Sequence, residues 1–253
     1  MHNNYTNSYP KVVSLVPSWT ETLIEANVNV VGRTRFCIHP AQKVKDIAVV
    51  GGTKSVDIAQ VSRLQPDFIV VDQQENTREM ADQLTHANHK LIITNITDFG
   101  RLETALTEIG STLKNGNLAQ FATRYQQLRP LDRRLFLKNI IFKGSVDEVI
   151  PGQHCDYVIW KDPFMVVGQQ TFIAENFKRI GIQLIHKEKY PQISDEQLLK
   201  SFCFFSSEPF PFAKKYAELK RLGFRGVVVD GEKVSWFGLR NLQFLEASQV
   251  ISP

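Results

Sequence analysis

Asp67–Val71 reads DFIVV, and the reading of this short run decides the fold. Four consecutive apolar residues, three of them β-branched, do not alternate as a half-exposed strand would. A run of this kind suits a strand covered on both faces, as in a parallel sheet packed between helices. Outward from it the same signal recurs. Val12–Val16 forms a strand that stops at Pro17, and Val28–Gly32, Ile47–Val50 and Leu91–Thr94 are further short apolar runs. Between them lie helical stretches over Asp57–Leu64 and Asn76–Thr85. Another opens at Ser18, a capping residue, with Glu21 three residues on to complete a capping box. Strands and helices alternating through short connections are the pattern of a doubly wound α/β domain.

The middle of the chain changes period. Leu102, Ala105, Leu106, Ile109 and Leu113 stand at helical spacing, and Asn115-Gly116 ends that helix. A second helix from Asn117 carries Leu118, Phe121, Ala122, Tyr125 and Leu128 on one stripe, until Pro130 breaks or kinks it. Leu135–Phe142 fits helix or strand. Alternation then resumes, with strands at Tyr157–Trp160, Phe202–Phe205 and Gly226–Asp230. Helices are expected at Thr171–Ile180, Ala213–Leu222 and Trp236–Leu245.

Composition narrows the function classes. The 253 residues are 43% apolar and 22% charged, enough to bury a good core. The net charge of +4 is not drawn into a basic stripe with interleaved aromatics, so no nucleic-acid partner is expected. No run of about 18 apolar residues exists, so no membrane insertion is expected. Met1–Pro10 is polar and lacks a basic n-region, unlike a secretory signal. Cys37, Cys155 and Cys203 are odd in number and widely spaced, which argues against a disulfide framework. A cytoplasmic location is expected, or a periplasmic one if a leader was removed.

In open parallel sheets, ligands bind outside the carboxyl ends of the strands. The loops there are Pro17-Ser18-Trp19, Arg33–Pro40, Gly51–Lys54 and Asp72–Asn76 in the first half. In the second half they are Trp160–Met165, Ser206–Phe212 and Asp230–Phe237. They hold all three tryptophans, Trp19, Trp160 and Trp236, with Phe36 and Phe164. They also hold Arg33, Arg35, His39, Lys54, Glu75, Glu208 and Glu232. Aromatics mixed with charges make a ligand rim more than a solvated loop collection. Each residue also has a plainer reading: Trp19 as a staple or core residue, Trp160 as a cap on the core, the arginines as surface ion-pair partners. Gly51-Gly52-Thr53-Lys54 lacks the spacing of a phosphate loop, and no GxGxxG or GxSxG is present. Cys37 and His39 would need further donors to hold a metal, so no protein-ligated metal is expected.

KVVSLVPSWTETLIEANVNVVGRTRFCIHP (11–40) and VGGTKSVDIAQVSRLQPDFIVVDQQEN (50–76) resemble the Fe/B12 periplasmic-binding domain. This is the class III solute-binding fold of the helical backbone metal receptors. The resemblance is carried by Ser14–Glu21, Gly32, Val50-Gly51, Asp57–Leu64 and Pro66–Val71 in that order. YVIWKDPFMVVGQQTFI (157–173), KYPQIS, FFSSEPFPF and VVVDGEKVSWFGLR are similar to a leaderless, cobalamin-binding-like subgroup. The resemblance implies two Rossmann-like α/β lobes with parallel sheets, joined by a long bridging α-helix. Mapped on this chain, the lobes are 1–116 and 136–253 and the helix is 117–135. It further implies a non-enzymatic binding protein of the ABC-importer type, holding a corrinoid such as cobalamin, haem or a ferric chelate in the cleft between lobes. No tightly bound cofactor is required. Trp19, Trp160, Phe164 and Trp236 would cover the faces of a flat ligand, and Arg33, Arg35 and Lys54 would meet its periphery. Glu208 and Glu232 would accept its N–H groups, and His39 is the candidate axial donor. Glu21 matches the glutamate that docks an ABC permease, and Glu175 is the candidate on the second lobe. Two rival functions stay open: an enzyme pairing His39 with Glu208 or Glu232, and a regulatory or scaffolding protein that keeps the fold without the ligand.

Overall fold

The unbroken apolar runs become central strands. The computed structural model describes residues 9–250, so the reading of Met1–Pro10 falls almost wholly outside the described residues. Two compact units form: residues up to Ile96 with Gly100–Gln126, and Thr97–Phe99 with the chain from Gln127 onward.

In the first unit the order is β1 (Lys11–Ser14), α1 (Pro17–Glu25), β2 (Asn29–Arg33), β3 (Ala48–Val49) and α2 (Ile58–Leu64). Then come β4 (Phe68–Asp72), α3 (Arg78–His86), β5 (Leu91–Thr94), α4 (Phe99–Thr112) and α5 (Gly116–Gln126). The five strands pair in parallel in the order β3-β2-β1-β4-β5. Val13, Leu15, Ile69 and Val71 from β1, β4 and the residue after β1 pack against Val61 of α2 and Met80 and Leu84 of α3. Ile69, Val70 and Val71 of the DFIVV run are therefore in the interior, with Phe68 half-buried at its start.

The second unit runs α6 (Arg133–Ile140), β6 (Ile141–Lys143), a 3-10 turn at Val146–Glu148, β7 (Cys155–Trp160), β8 (Met165–Val166) and α7 (Phe172–Lys178). It continues with α8 (Asp195–Leu198), β9 (Phe202–Ser206), α9 (Phe212–Arg221), β10 (Arg225–Val229), α10 (Gly231–Ser235) and α11 (Leu239–Glu246). Its sheet, β6-β10-β9-β7-β8, is mixed rather than wholly parallel. β7, β9 and β10 are parallel, and β6 and β8 are antiparallel at the two edges. Only the edges depart from expectation, because a short strand running directly out of a helix or a tight return has no crossover to make it parallel.

Three local readings are corrected. Ser18 does not cap α1: the helix opens one residue earlier at Pro17, whose missing N–H and fixed φ suit a first helical position. The helix expected over 117–135 is two helices, α5 and α6. Between Gln126 and Arg133 the chain is non-helical around Pro130, and Asp132 caps α6 through Leu135 N at 2.7 Å. The helix expected from Trp236 starts at Leu239, after Gly238 at φ +87°, a left-handed conformation that favours glycine.

Candidate functional site

In the first sheet, β2 and β3 lie on one side of β1 while β4 and β5 lie on the other. The chain thus leaves β1 and β4 in opposite directions, and the loops at their carboxyl ends diverge. Hydrogen bonds stitch these loops together. Asp72, wholly buried, accepts Gln74 N at 2.8 Å, Thr94 Oγ1 at 2.7 Å and Ile96 N at 3.1 Å. Asn76 accepts Asp72 N, and its Nδ2 donates to Leu15 O at 3.1 Å and to Thr53 O at 2.9 Å. Gly51 stands at φ +139°, where a Cβ would lie 2.6 Å from Ser55 O, so the 51–55 turn closes only around glycine. Arg35 N donates to Gly51 O at 2.8 Å, which ties the next loop to that turn.

That next loop is anchored from beneath. Cys37 is buried, with its sulfur 3.1 Å from both Thr20 Oγ1 and Thr34 Oγ1. Burial pushes its thiol up from the ordinary value, so it stays protonated and unreactive. With Cys37 turned inward, Phe36 and Ile38 on either side are exposed, at 53% and 51%. Arg35 is exposed as well, with its guanidinium carbon 5.9 Å from the Phe36 ring centroid.

The residues singled out in the first unit divide into two groups. Arg35, Phe36, Lys54 and Glu75 stand on the stitched loops. Glu75 is partly buried, and burial, reinforced by the negative charge of Asp72, raises its carboxyl above the ordinary value against the opposing pull of Lys54. Arg33 and Trp19 are turned inward. Arg33 donates to Val44 O at 2.9 Å and to Thr34 O at 3.2 Å, so its guanidinium holds the loop rather than offering a fork to a ligand. Trp19 has no exposed surface, and its Nε1 donates to Thr94 Oγ1 at 2.9 Å; it is a core residue and shows no face to a ligand. His39 is half-buried before Pro40, and Glu21 is half-buried on α1.

In the second unit, β7 ends on Trp160, 42% exposed, whose ring meets Phe210 edge-on at 5.8 Å. Phe210 in turn lies 4.6 Å from Phe212, which is buried in the core of this unit. The aromatic of the Ser206–Phe212 loop is thus supported from behind. Lys161 is paired with Glu218 at 3.4 Å. Trp236 is 9% exposed; its Nε1 donates to Glu208 Oε1 at 2.7 Å, and the Arg240 guanidinium lies 5.5 Å from its ring. Arg240 also pairs with Glu232 at 3.2 Å. Glu208, Glu232 and Trp236 therefore engage one another through Arg240 and the indole, a role their sequence did not reveal. Phe164 is core, 4% exposed and 5.3 Å from Phe224, because the chain turns back into β8 directly after it. Glu175 pairs with Lys178 at 3.4 Å on α7.

Asn76 and Arg240 were not singled out from the sequence. Asn76 closes the loop that follows β4, a position where an amide side chain can join neighbouring backbones. Arg240 gives no such signal. Among the described residues, no three His, Cys, Asp or Glu side chains come together to hold a metal, and no helix is long and apolar enough to cross a membrane.

Residues 12–125 match the model of a family described as periplasmic binding protein. Solved structures extend the likeness over nearly the whole chain. A periplasmic vitamin B12 binding protein of Vibrio cholerae is 18% identical with a TM-score of 0.68, covering 94% of each chain. A periplasmic heme binding protein from Pseudomonas aeruginosa is 22% identical with a TM-score of 0.73, covering 94% of this chain and 91% of its own. A possible iron-binding (periplasmic solute-binding) protein from Staphylococcus epidermidis is 14% identical with a TM-score of 0.69, covering 94% and 96%. At these identities the likeness is one of fold.

Proposed function

We propose that this chain, whose residues 12–125 match the model of the periplasmic binding protein family, is a solute-binding protein for a metal chelate of the corrinoid or haem type. It acts by capture, without catalysis, and hands its ligand to an ABC permease. The family match supports the class of activity, and the whole-chain likeness to vitamin B12 and heme binding folds supports the class of ligand.

The observation that carries the reading is the indole of Trp160. It is a large apolar surface left partly open at the carboxyl end of a central strand, with Phe210 and Phe212 behind it to hold it still. An exposed, immobilised indole loses little conformational freedom when a flat macrocycle covers it, and gains stacking and apolar burial. The metal of such a ligand is held by its own chelator, with His39 on the first-unit rim as the candidate axial donor. Arg35 and Lys54 supply donors to the ligand's edge.

Titration with cyanocobalamin and with hemin tests the reading. Binding is expected to shift the visible band of the ligand and quench tryptophan fluorescence at micromolar concentration. No response to either ligand refutes it. Trp160→Ala is expected to weaken binding by about 1–3 kcal/mol, the worth of an aromatic contact with its buried area. Unchanged affinity with a lowered melting temperature would instead make Trp160 a cap on the core.

A further inference from the structure

The first sheet ends on β5 (Leu91–Thr94, LIIT), and no strand among the described residues pairs with its outer side. Two bonds fix the phase of its ladder: Ile69 N donates to Lys90 O and Gln73 N to Thr94 O, each at 2.9 Å. Lys90, Ile92 and Thr94 therefore turn their peptide groups towards β4. Leu91 and Ile93 turn theirs outward, because the N–H and C=O of one strand residue point to the same side. Among the described residues, nothing bonds to these outward groups.

Such an edge is ordinarily shortened, charged, bulged or covered. The other three edges follow that rule. β3 and β8 have two residues each, β8 is bridged by Gln192 at Met165, and β6 has three residues and carries Lys143. β5 has four residues, no charge and no proline, and its register with β4 is unbroken. Ile93 is 54% exposed, although it stands beside Val71, a core residue. Next to it a cavity of about 500 Å³ opens between the sheet and α3, lined by Val71, Ala81 and Ile93. Arg78 and Asp82, also on its wall, lie 3.9 Å apart with both side chains open to solvent.

We propose that β5 pairs with β5 of a second copy of this chain, antiparallel about a two-fold axis at Ile92, so that one sheet runs through both copies. The spacing of the outward groups selects this occupant. In an antiparallel pair, the residues that exchange N–H and C=O bonds stand directly opposite each other. Turned about Ile92, Leu91 of each copy meets Ile93 of the other, and every outward group of both residues is bonded. Opposed side chains share a face, so the exposed Ile93 is covered by Leu91 of the second copy, beside the cavity. The charges there suit a like surface too. Arg78 and Asp82 cancel within one copy, so bringing up the same wall again adds no net charge, and a strongly charged partner finds nothing to select it. The contact is self-complementary, as a two-fold interface must be. It is also small, which sets its strength in the micromolar range or weaker.

Sedimentation velocity from about 1 to 300 µM tests this, with hydrogen exchange at both ends of that range. The unaltered protein is expected to pass from monomer to dimer. On association the amides of Leu91 and Ile93 should slow tenfold or more, while that of Ile92, bonded to β4, is protected throughout. Ile93→Lys puts a charge into the contact. Ile93→Pro removes one outward N–H at an edge position that proline tolerates. Both are expected to stay monomeric with unchanged circular dichroism, whereas Val49→Lys on the opposite edge should dimerise as before. A monomer at every concentration overturns the inference. So does a dimer that I93K and I93P leave intact, or one in which Leu91 and Ile93 gain no protection, since either places the contact elsewhere. Protection of these two amides at every dilution, without association, also overturns it, by showing that a segment of the same chain covers the edge.

Discussion

Two arginines two positions apart illustrate how a side chain's partners settle its role. Arg33 lies at the end of β2, and its guanidinium is drawn back across the following loop onto Val44 O and Thr34 O. Arg35 stands past the turn, exposed beside Phe36 and tethered by its backbone N–H to Gly51 O. Substitution should separate them. Arg33→Ala leaves two carbonyls without a charged donor and is expected to destabilise the protein by about 2 kcal/mol. Arg35→Ala is expected to leave the melting temperature within error and to weaken ligand binding. Thermal melts beside the same ligand titration decide it; a stable R33A protein with poor binding would reverse the assignment. The residue types in these loops were legible in the sequence, since the strand ends locate them. Which way each one turns was not. Cys37 faces the core while Phe36 and Ile38 face solvent, and that choice rests on Thr34 in the same loop and on Thr20, which lies on α1.

At the scale of elements, the carboxyl-end loops of the first sheet behave as one body because Asn76 joins them. Its amide bonds the residue after β1, the 51–55 turn and the end of β4. Asn76→Ala removes all three bonds and strands two carbonyls, at an expected cost of about 3 kcal/mol. Slower-exchanging amides of β4 should persist while Gln74 and Glu75 lose hydrogen-exchange protection, and unchanged protection there would contradict the clamp. The central strands were readable because an unbroken β-branched run has few alternatives: DFIVV became β4, and GVVVD became most of β10. The edges were not. β6 and β8 have three and two residues, too short to show a period, and their direction is set by the strand they pair with. Pro17 and Pro130 show the two faces of one residue. At a helix's first position it opens α1, whereas a position inside an otherwise continuous apolar stripe lies in the gap between α5 and α6.

At the scale of the molecule, the chain crosses between the two units three times rather than through a single linker. Thr97–Phe99 belong with the second unit, yet the chain then returns to the first for the rest of α4 and for α5. Phe99 is the anchor: 8% exposed, it lies 5.0 Å from Phe172 and beneath the Arg179 guanidinium at 4.0 Å. The next residues of the same helix, Leu102, Ala105 and Leu106, are buried as part of the first unit. Phe99→Ala removes a buried ring and leaves a cavity, and an expected loss of about 3 kcal/mol follows. Because the ring packs on α7, the loss should fall first on the second unit. The tryptophans make this measurable, since Trp19 reports on the first unit and Trp160 and Trp236 on the second. In denaturant titrations, F99A in a background retaining only Trp160 and Trp236 should unfold earlier than the same background with Phe99. In a background retaining only Trp19 the shift should be smaller. Equal shifts in both would mean that the units unfold together and that Phe99 serves the whole chain. No shift in either would remove it as an anchor.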